Sequence, residues 1–136
     1  MDCIFCRIAA GEIPSATLYE DEDFRVILDL GPATRGHALI LPKAHYRNLL
    51  EIPEELAGKA MILARKIVAA GKKALHCDGY NVVQNNGAAA GQTVFHFHMH
   101  LIPRYEGDQA GVTWKPGTLT EEEKQEITAC MTEALR

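Results

Sequence analysis

The five residues HFHMH, at positions 96–100, constrain this chain more than any other segment, because they hold three of its six histidines. Each histidine is separated from the next by an apolar residue, Phe97 or Met99, and Leu101 and Ile102 follow. Successive side chains of a β-strand point to opposite faces of the sheet. The alternation therefore predicts a strand with the three histidines on one face and the apolar residues in a core behind them.

The strand spacing limits what a metal ion could do at these histidines. Alternate strand residues lie about 6.6–6.8 Å apart, so His96 and His100 would be separated by roughly 13 Å. Zinc–nitrogen bonds are about 2.0–2.1 Å long, and one ion therefore cannot bind all three rings. At most one or two histidines serve a metal, and burying all three is too costly unless they line a polar pocket.

Length and charge predict a single globular domain over residues 1–136 and exclude several classes of partner. The net charge of −4 argues against a nucleic-acid partner, and no apolar run approaches the ~20 residues of a membrane span. The N-terminal segment has an acidic Asp2 and no continuous apolar stretch, so we expect a cytoplasmic protein without a secretory signal. Disulfides are rare in that compartment, and Cys77 and Cys130 are expected to be small buried hydrophobic residues.

Hydrophobic periodicity predicts an α+β fold. Strands are expected at residues 16–21, 24–30, 36–43 and 80–86 and in the histidine segment, which ends at Pro103. A long helix is expected within residues 48–76, with Pro53 in its first turn, and a C-terminal helix after Thr118 or Thr120. This order favours an antiparallel sheet with the long helix on one face, which leaves the histidines the opposite face or the sheet edge.

The loop GAAAGQT, residues 87–93, leads directly into the histidine segment. Its small residues allow backbone N–H groups to approach a ligand closely, and Gln92 and Thr93 add side-chain donors. Such a loop on its own is typical of a tight turn, but its position before the histidines favours a phosphate site. It is not a Walker A loop, because the glycine spacing differs and Gln92 stands in place of lysine.

The motif CIFC, residues 3–6, has two interpretations. It could be a redox pair, but such a pair opens a helix after a strand, whereas this one lies near the start of the chain. It could also be half of a zinc site, which needs two further ligands. The residues that could supply them are His37, His45, His76 and one histidine of residues 96–100. Of these, His76 is expected to be a solvated residue at a helix end.

Together these segments resemble the histidine triad family, whose signature is carried by QTVFHFHMHLIPR, residues 92–104. The N-terminal half, from CIFC to LPKAH, and the loop segment GYNVVQNNGAAAGQTV also resemble that family. The resemblance covers about residues 3–105 and leaves residues 106–136 as a C-terminal extension. It implies an antiparallel sheet with a long helix, a homodimer, and hydrolysis or transfer at the α-phosphorus of a purine nucleotide.

The resemblance also implies a role for each matching residue. His98 would be the nucleophile that forms a covalent nucleotidyl-histidine, His100 would bind the phosphate, and His37 would support them. The positions implied for substrate binding are Asp29 and Leu30 at the ribose, Phe5, Ile8 and Ile13 at the base, and Asn85, Gly91, Gln92 and Thr93 near the phosphate. A carboxylate suits a ribose because it accepts two hydrogen bonds from a cis-diol. The three apolar residues are equally well explained as ordinary core.

The nucleophilic role suits a histidine, because its ordinary pKa of about 6.5 leaves the ring neutral at pH 7. No metal is needed for this chemistry. In family members with an N-terminal CxxC, the resemblance implies a structural zinc site formed here by Cys3, Cys6, His45 and His96. Four protein ligands leave no open position for catalysis.

Three activities are compatible with this resemblance. We favour a purine nucleoside phosphoramidase, because the N-terminal half is closer to that branch, and the alternative enzyme is a dinucleoside polyphosphate hydrolase. A third possibility is a nucleotide-binding regulatory dimer whose catalysis is incidental. The segment WKPG, residues 114–117, resembles the ending of the eukaryotic phosphoramidase branch, but here a predicted helix follows it.

Overall fold

The computed structural model describes residues 3–136, so Asp2 lies outside the described residues. Its five strands are β1 (Thr17–Glu20), β2 (Phe24–Leu28), β3 (Ala38–Pro42), β4 (Gly79–Val83) and β5 (Met99–Arg104). Its helices are α1 (Ile4–Ala9), α2 (Glu54–Leu75) and α3 (Glu121–Ala134), and a short 3₁₀ turn lies at Ala88–Ala90. The strands form one antiparallel sheet in the order β1-β2-β3-β5-β4. The predicted α+β class is confirmed.

The main core lies between one face of this sheet and α2. Helix α2 buries Ala60, Leu63 and Ala64, which repeat at the spacing of one helical face. These residues pack against apolar side chains of the strands and of the segment before β5, namely Phe24, Val26, Ala38, Ile40, Phe97, Met99 and Leu101. The apolar half of the HFHMH alternation therefore lies in the core, as predicted.

The opposite face of the sheet carries a second, smaller core under α1. Ile8 of α1 is buried against Ile27, Leu39 and Leu41. His100 pairs with Leu39 across β3 and β5, and paired residues of neighbouring strands share a face. The His100 side chain is therefore on the face opposite α2, which is one of the two positions predicted for the histidines.

Helix α1 is absent from the sequence-based prediction, since its six residues are too short to show a periodicity. Its N-cap is Cys3, whose sulfur accepts a hydrogen bond of 3.4 Å from the Cys6 amide. Serine, threonine, aspartate and asparagine are the usual N-caps, so the CIFC motif gave no sign of a helix start. The two cysteines lie on the first turn of a helix that packs on the histidine face.

The prediction that all of residues 96–100 lie in one strand is wrong, because β5 begins at Met99. The Phe97 amide instead donates a hydrogen bond of 2.6 Å to the carbonyl of Tyr46, outside the sheet. His96 and His98 therefore precede the strand, and their rings are not restricted to a strand spacing. Helix α2 also starts later than predicted, with Pro53 as its N-cap.

Helix α3 begins with a capping box in which Thr120 accepts from the Glu123 amide and the Glu123 carboxylate accepts from the Thr120 amide. The prediction of Thr120 as a cap is confirmed. All residues of α3 are exposed, so Cys130 is not the buried residue expected, whereas Cys77 is buried. Among the described residues, no helix combines the length and apolarity that membrane crossing requires.

Candidate active site

His98 occupies a buried position beside the N-terminal helix. Its Nδ1 lies 2.7 Å from the carbonyl oxygen of His96. A carbonyl can only accept, so this nitrogen carries the proton and Nε2 carries a free lone pair. The Phe5 ring meets the His98 ring edge-on, with centroids 4.9 Å apart. The protein thus holds His98 in the tautomer that a nucleophile acting through Nε2 requires.

His37 and His100 form a directed chain of hydrogen bonds that begins at a backbone amide. The Ala33 amide donates to Nδ1 of His37 over 2.9 Å, so this Nδ1 is unprotonated and Nε2 of His37 carries the proton. That Nε2 lies 2.9 Å from Nδ1 of His100 and donates to it. In its neutral form His100 therefore carries its proton on Nε2, where it can donate to a ligand.

Asp29 lies beside this chain of hydrogen bonds. Its Oδ1 accepts a hydrogen bond of 2.8 Å from the Gly31 amide, and its Oδ2 is 3.4 Å from Nε2 of His37. The carboxylate is half-buried and keeps lone pairs for a further donor. Asp29, His37, His98 and His100 are called the Asp/His cluster below.

Burial keeps the three histidines of this cluster neutral. It lowers the pKa of His100 from 6.5 to about 4, an effect that His98 and His37 reinforce. Burial also lowers the pKa of His37 and of His98, although the Asp29 charge opposes it at both rings. The hydrogen bond to the His96 carbonyl opposes it further at His98. At pH 7 the cluster therefore offers lone pairs and neutral N–H donors in place of positive charge.

The loop residues implied as phosphate contacts differ in how exposed their side chains are. Gln92 is buried, and its side-chain amide bonds to backbone groups of Gly87, Arg47 and Val94 over 2.8–3.1 Å. This side chain therefore holds the loop together, and its predicted phosphate contact stays a prediction. Thr93 is exposed and lines a shallow cleft that also contains Cys3 and His45.

Asn85 and Gly91 are neighbours in this loop. A Cβ on Gly91 would lie 3.6 Å from Nδ2 of Asn85, and the positive φ of 94° at Gly91 favours glycine. The Gly91 amide bonds to the carbonyl of Ala88 over 3.0 Å, which closes the 3₁₀ turn. The structure thus brings these two predicted residues together.

The residues implied as base-pocket walls gather under α1. Ile8 is 4% exposed and belongs to the smaller core, while Phe5 and Ile13 are half-buried against it. Leu30 is 89% exposed. Both interpretations of the apolar trio agree with this position, because Phe5 is partly open and lies beside His98.

Cys3, Cys6, His45 and His96 form a second cluster, called the Cys/His cluster below. One ligand atom from each lies within 4.8 Å of all the others. Nδ1 of His96 is 3.4 Å from both sulfurs and 3.2 Å from Nδ1 of His45. Tetrahedral zinc with the usual bond lengths would separate its ligand atoms by roughly 3.3–3.8 Å. The four residues therefore fit a structural zinc ion.

Ring orientation in the Cys/His cluster also suits a metal. Nε2 of His96, a fully buried residue, donates to the Pro42 carbonyl over 2.8 Å, which leaves Nδ1 as a lone pair aimed at the other three residues. Burial lowers the pKa of His96 to about 4. Burial and a hydrogen bond with Cys3 raise the pKa of the Cys6 thiol to about 11, so zinc must displace a thiol proton to bind. Of the other zinc candidates from the sequence, His76 is exposed at the end of α2, and His37 lies in the Asp/His cluster.

Several groups that orient these rings were missed at the sequence level. The Ala33 amide and the carbonyls of Pro42 and His96 decide which ring nitrogen is protonated. Every residue carries such backbone groups, so no side-chain pattern identifies them. The only sequence signal was the turn-forming composition of GPATRG, residues 31–36.

Comparison with known proteins gives a family match. The model of the HIT domain matches residues 10–107. The chain is 48% identical to a protein of Bacillus subtilis over 115 residues, 84% of this chain and 79% of the relative. It is 42% identical to an adenosine 5'-monophosphoramidase of Saccharomyces cerevisiae over 122 residues, 90% of this chain and 75% of the relative.

A plant relative and two solved structures extend this match. An adenylylsulfatase of Arabidopsis thaliana is 46% identical over 111 residues, 79% of this chain but only 54% of the relative. A Streptococcus mutans structure has a TM-score of 0.94 and 39% identity, covering 99% of this chain and 86% of the other. A zinc-bound histidine triad family protein of Mycobacterium smegmatis has a TM-score of 0.78 and 39% identity, covering 98% of this chain and 96% of the other.

Proposed function

This chain belongs to the HIT domain family, and on that premise we propose that it hydrolyses nucleotides at the α-phosphate through a covalent nucleotidyl-histidine. The observation that carries the proposal is the hydrogen bond from Nδ1 of His98 to the His96 carbonyl, which leaves an unprotonated Nε2. The relatives named as an adenosine 5'-monophosphoramidase and an adenylylsulfatase support a nucleotide hydrolase.

In the first step, Nε2 of His98 forms a bond to the α-phosphorus while the bond to the leaving group breaks. The leaving group departs with the bonding electrons and takes a proton from water. Nε2–H of His100 donates to a non-bridging oxygen, where negative charge develops. In the second step a water oxygen attacks phosphorus, its proton passes to solvent, and the P–N bond breaks with return of the electron pair to His98.

Asp29 and the apolar residues of α1 supply substrate recognition in this proposal. The free lone pairs of Asp29 accept hydrogen bonds from the two ribose hydroxyls. Phe5, half-buried beside His98, and Ile13, half-buried against the smaller core, form the wall of a purine pocket together with Ile8 and Leu30. The phosphate side of the proposed site is assigned to Asn85, Gly91, Gln92 and Thr93, with Gln92 acting through the loop backbone that it holds.

The favoured substrate class is a purine nucleoside phosphoramidate, which the similarity to the yeast monophosphoramidase supports. The alternatives are a dinucleoside polyphosphate hydrolase and a regulatory nucleotide-binding dimer. Release of nucleoside monophosphate from a panel of phosphoramidates and dinucleoside polyphosphates tests all three. We expect a tenfold or larger preference for phosphoramidates. If the protein bound members of the panel but released nucleoside monophosphate from none, the proposal that it is an enzyme would be wrong.

Zinc has a structural role in this proposal and none in the reaction. Cys3, Cys6, His45 and His96 would hold the ion, and the zinc-bound relative from Mycobacterium smegmatis supports the assignment. When bound, zinc supplies a cross-link between α1, the segment after β3 and the segment before β5. The residues that act on the nucleotide belong to the other cluster.

We also propose that the chain acts as a homodimer in the cytoplasm. Met61 and Ile62 of α2 and Val82 of β4 are large apolar side chains that are 43–72% exposed, and a second copy would cover such a surface. The net charge of −4 argues against a nucleic-acid partner. Sedimentation equilibrium tests the dimer, with Ile62→Glu expected to shift the protein to a monomer.

A further inference from the structure

The β2–β3 loop, residues 29–37, carries Asp29 at one end and His37 at the other. Two hydrogen bonds fasten its middle to the end of β5. The hydroxyl of Thr34 donates to the carbonyl of Pro103 over 2.6 Å, and the hydroxyl of Tyr105 donates to the carbonyl of Arg35 over 2.6 Å. The loop is therefore attached to the same strand that carries His100.

Gly36 allows the loop to lie this close to its neighbours. Its φ is +95°, a conformation that side chains rarely adopt, and a Cβ there would collide with Leu75 at the end of α2. It would also lie 3.2 Å from the Pro103 ring. The loop is thus confined by α2 on one side and by β5 on the other, which fixes where the Ala33 amide points.

We propose that this loop sets the protonated nitrogen of His100, with the Ala33 amide as the origin and with Thr34 and Tyr105 as positioning residues. The amide is an obligate donor, so its 2.9 Å bond to Nδ1 of His37 forces the His37 proton onto Nε2. His37 then donates to Nδ1 of His100 and forces that proton onto Nε2. Thr34 and Tyr105 touch no reacting atom and act only by holding the loop.

The direction of these hydrogen bonds matters because it decides whether His100 presents an N–H donor or a lone pair to the substrate. With its proton on Nε2, His100 is a donor to an anionic phosphoryl oxygen. With the opposite tautomer, it would turn a lone pair toward that oxygen and repel it. This consequence rests on the proposed function, whereas the tautomer itself belongs to the resting protein and is measured without substrate.

The direct test replaces Ala33. Ala33→Pro removes the N–H, and Ala33→Gly retains it as the matched control. Nitrogen-15 NMR of the histidine rings in the full-length protein reports which nitrogen is protonated. We expect wild type and Ala33→Gly to show His100 protonated on Nε2, and Ala33→Pro to show a mixture of tautomers. A wild-type His100 protonated on Nδ1 would overturn the inference.

Thr34→Val and Tyr105→Phe test the two attachments without touching the amide, should Ala33→Pro fail to fold. Each is expected to populate the second tautomer of His100 and to lower kcat for a phosphoramidate about tenfold with little change in KM. Thr34→Ser retains the hydroxyl and should restore both properties. Thr132→Val, which removes a hydroxyl bonded to a backbone carbonyl on α3, is the control.

Two outcomes separate this inference from the proposed function. If Thr34→Val lowers kcat while His100 stays entirely protonated on Nε2, the loop has only a structural role and the inference is wrong. If the tautomers shift as expected but wild type releases no nucleotide from any substrate tested, the inference stands and the proposed function is wrong.

Discussion

The two histidine clusters use the same side-chain chemistry in opposite ways. In the Cys/His cluster, the Nδ1 atoms of His45 and His96 converge on the two sulfurs and lie 3.2 Å apart. In the Asp/His cluster, each contact from Ala33 through His37 to His100 joins a donor to an acceptor. The first arrangement leaves a point at which four ligand atoms meet, whereas the second uses the Nδ1 lone pairs of His37 and His100 internally.

Proximity alone does not distinguish these clusters. Ligand atoms of Asp29, His37 and His100 also lie within 4.8 Å of one another, as they would around a metal ion. The backbone makes the difference, because the Ala33 amide and the carbonyls of Pro42 and His96 decide where each ring keeps its proton. Ring orientation therefore supports the proposed metal site in one place and the proposed phosphate site in the other.

The largest expected effect separates the clusters through the nucleophile. His98→Ala should lower kcat/KM by at least about a thousandfold, on the order of 4 kcal/mol of transition-state stabilisation, without changing the zinc content. Steady-state kinetics and elemental analysis measure the two properties. His76→Asn, at an exposed helix end, is the matched control. If the variant retained more than a tenth of the activity, or lost its zinc, the assignment of His98 as the nucleophile of the Asp/His cluster would be wrong.

Metal removal tests the other side of the comparison. Zinc is expected at about one ion per chain, and its removal by a chelator or by Cys3→Ser with Cys6→Ser should lower the melting temperature by about 10 °C. Activity at moderate temperature should fall far less, since the proposed substrate contacts include no zinc ligand. Cys130→Ser, on the exposed face of α3, should change neither. A chelated protein that is equally stable but inactive would reverse the roles proposed for the two clusters.

Acid should destabilise the folded protein through its buried neutral rings. The pKa of His100 is lowered from 6.5 to about 4, so between these values the unfolded chain binds a proton that the folded chain does not. Stability is therefore complete above about pH 6.5 and falls as the pH drops toward 4, by about 1.4 kcal/mol per pH unit for this histidine. His96 adds a similar contribution when zinc is removed, because its pKa is also about 4.

His100→Gln separates the two contributions. In zinc-free protein, urea unfolding between pH 4 and 6.5 should show a shallower dependence of stability on pH than in wild type, by about one bound proton. If the dependence of stability on pH did not change, His100 would be protonated in the folded state, contrary to the chain of hydrogen bonds between neutral rings described above.

The smallest effect concerns the edge of the Asp/His cluster. If Asp29 accepts both ribose hydroxyls, a 2′-deoxynucleotide should bind about tenfold more weakly, because one acceptor then lacks a donor. Asp29→Asn should abolish most of this difference, and calorimetry with matched ribo- and deoxyribonucleotides measures it. Equal affinities in wild type would remove Asp29 from the ribose site.

The sequence predicted the elements whose signals are repeated along the chain. The period of two in HFHMHLI predicted a strand with Met99 and Leu101 in the core, and the helical spacing within residues 48–76 predicted α2. The helix cap at Thr120 was also predictable from the sequence. Such patterns persist because burial acts on every repeat.

The remaining features depend on single contacts that leave no pattern. The start of β5 depends on the bond between Phe97 and Tyr46, and α1 begins at a cysteine instead of a usual cap. The residues of the two clusters were predicted from a family resemblance. Their ring orientations could not be predicted, because they depend on the Ala33 amide and on the carbonyls of Pro42 and His96, which no side-chain pattern identifies.

Gly36 has a consequence in genetic terms. Any single-nucleotide missense change in a glycine codon produces a residue with a Cβ, and at this position that atom meets Leu75 on a backbone with positive φ. The end of the Leu75 side chain can turn aside, but the strained φ would remain, and relaxing it would move the loop together with the Ala33 amide. We therefore expect codon 36 to tolerate no missense change in a mutational scan selected for activity, although Gly36 itself contacts no substrate.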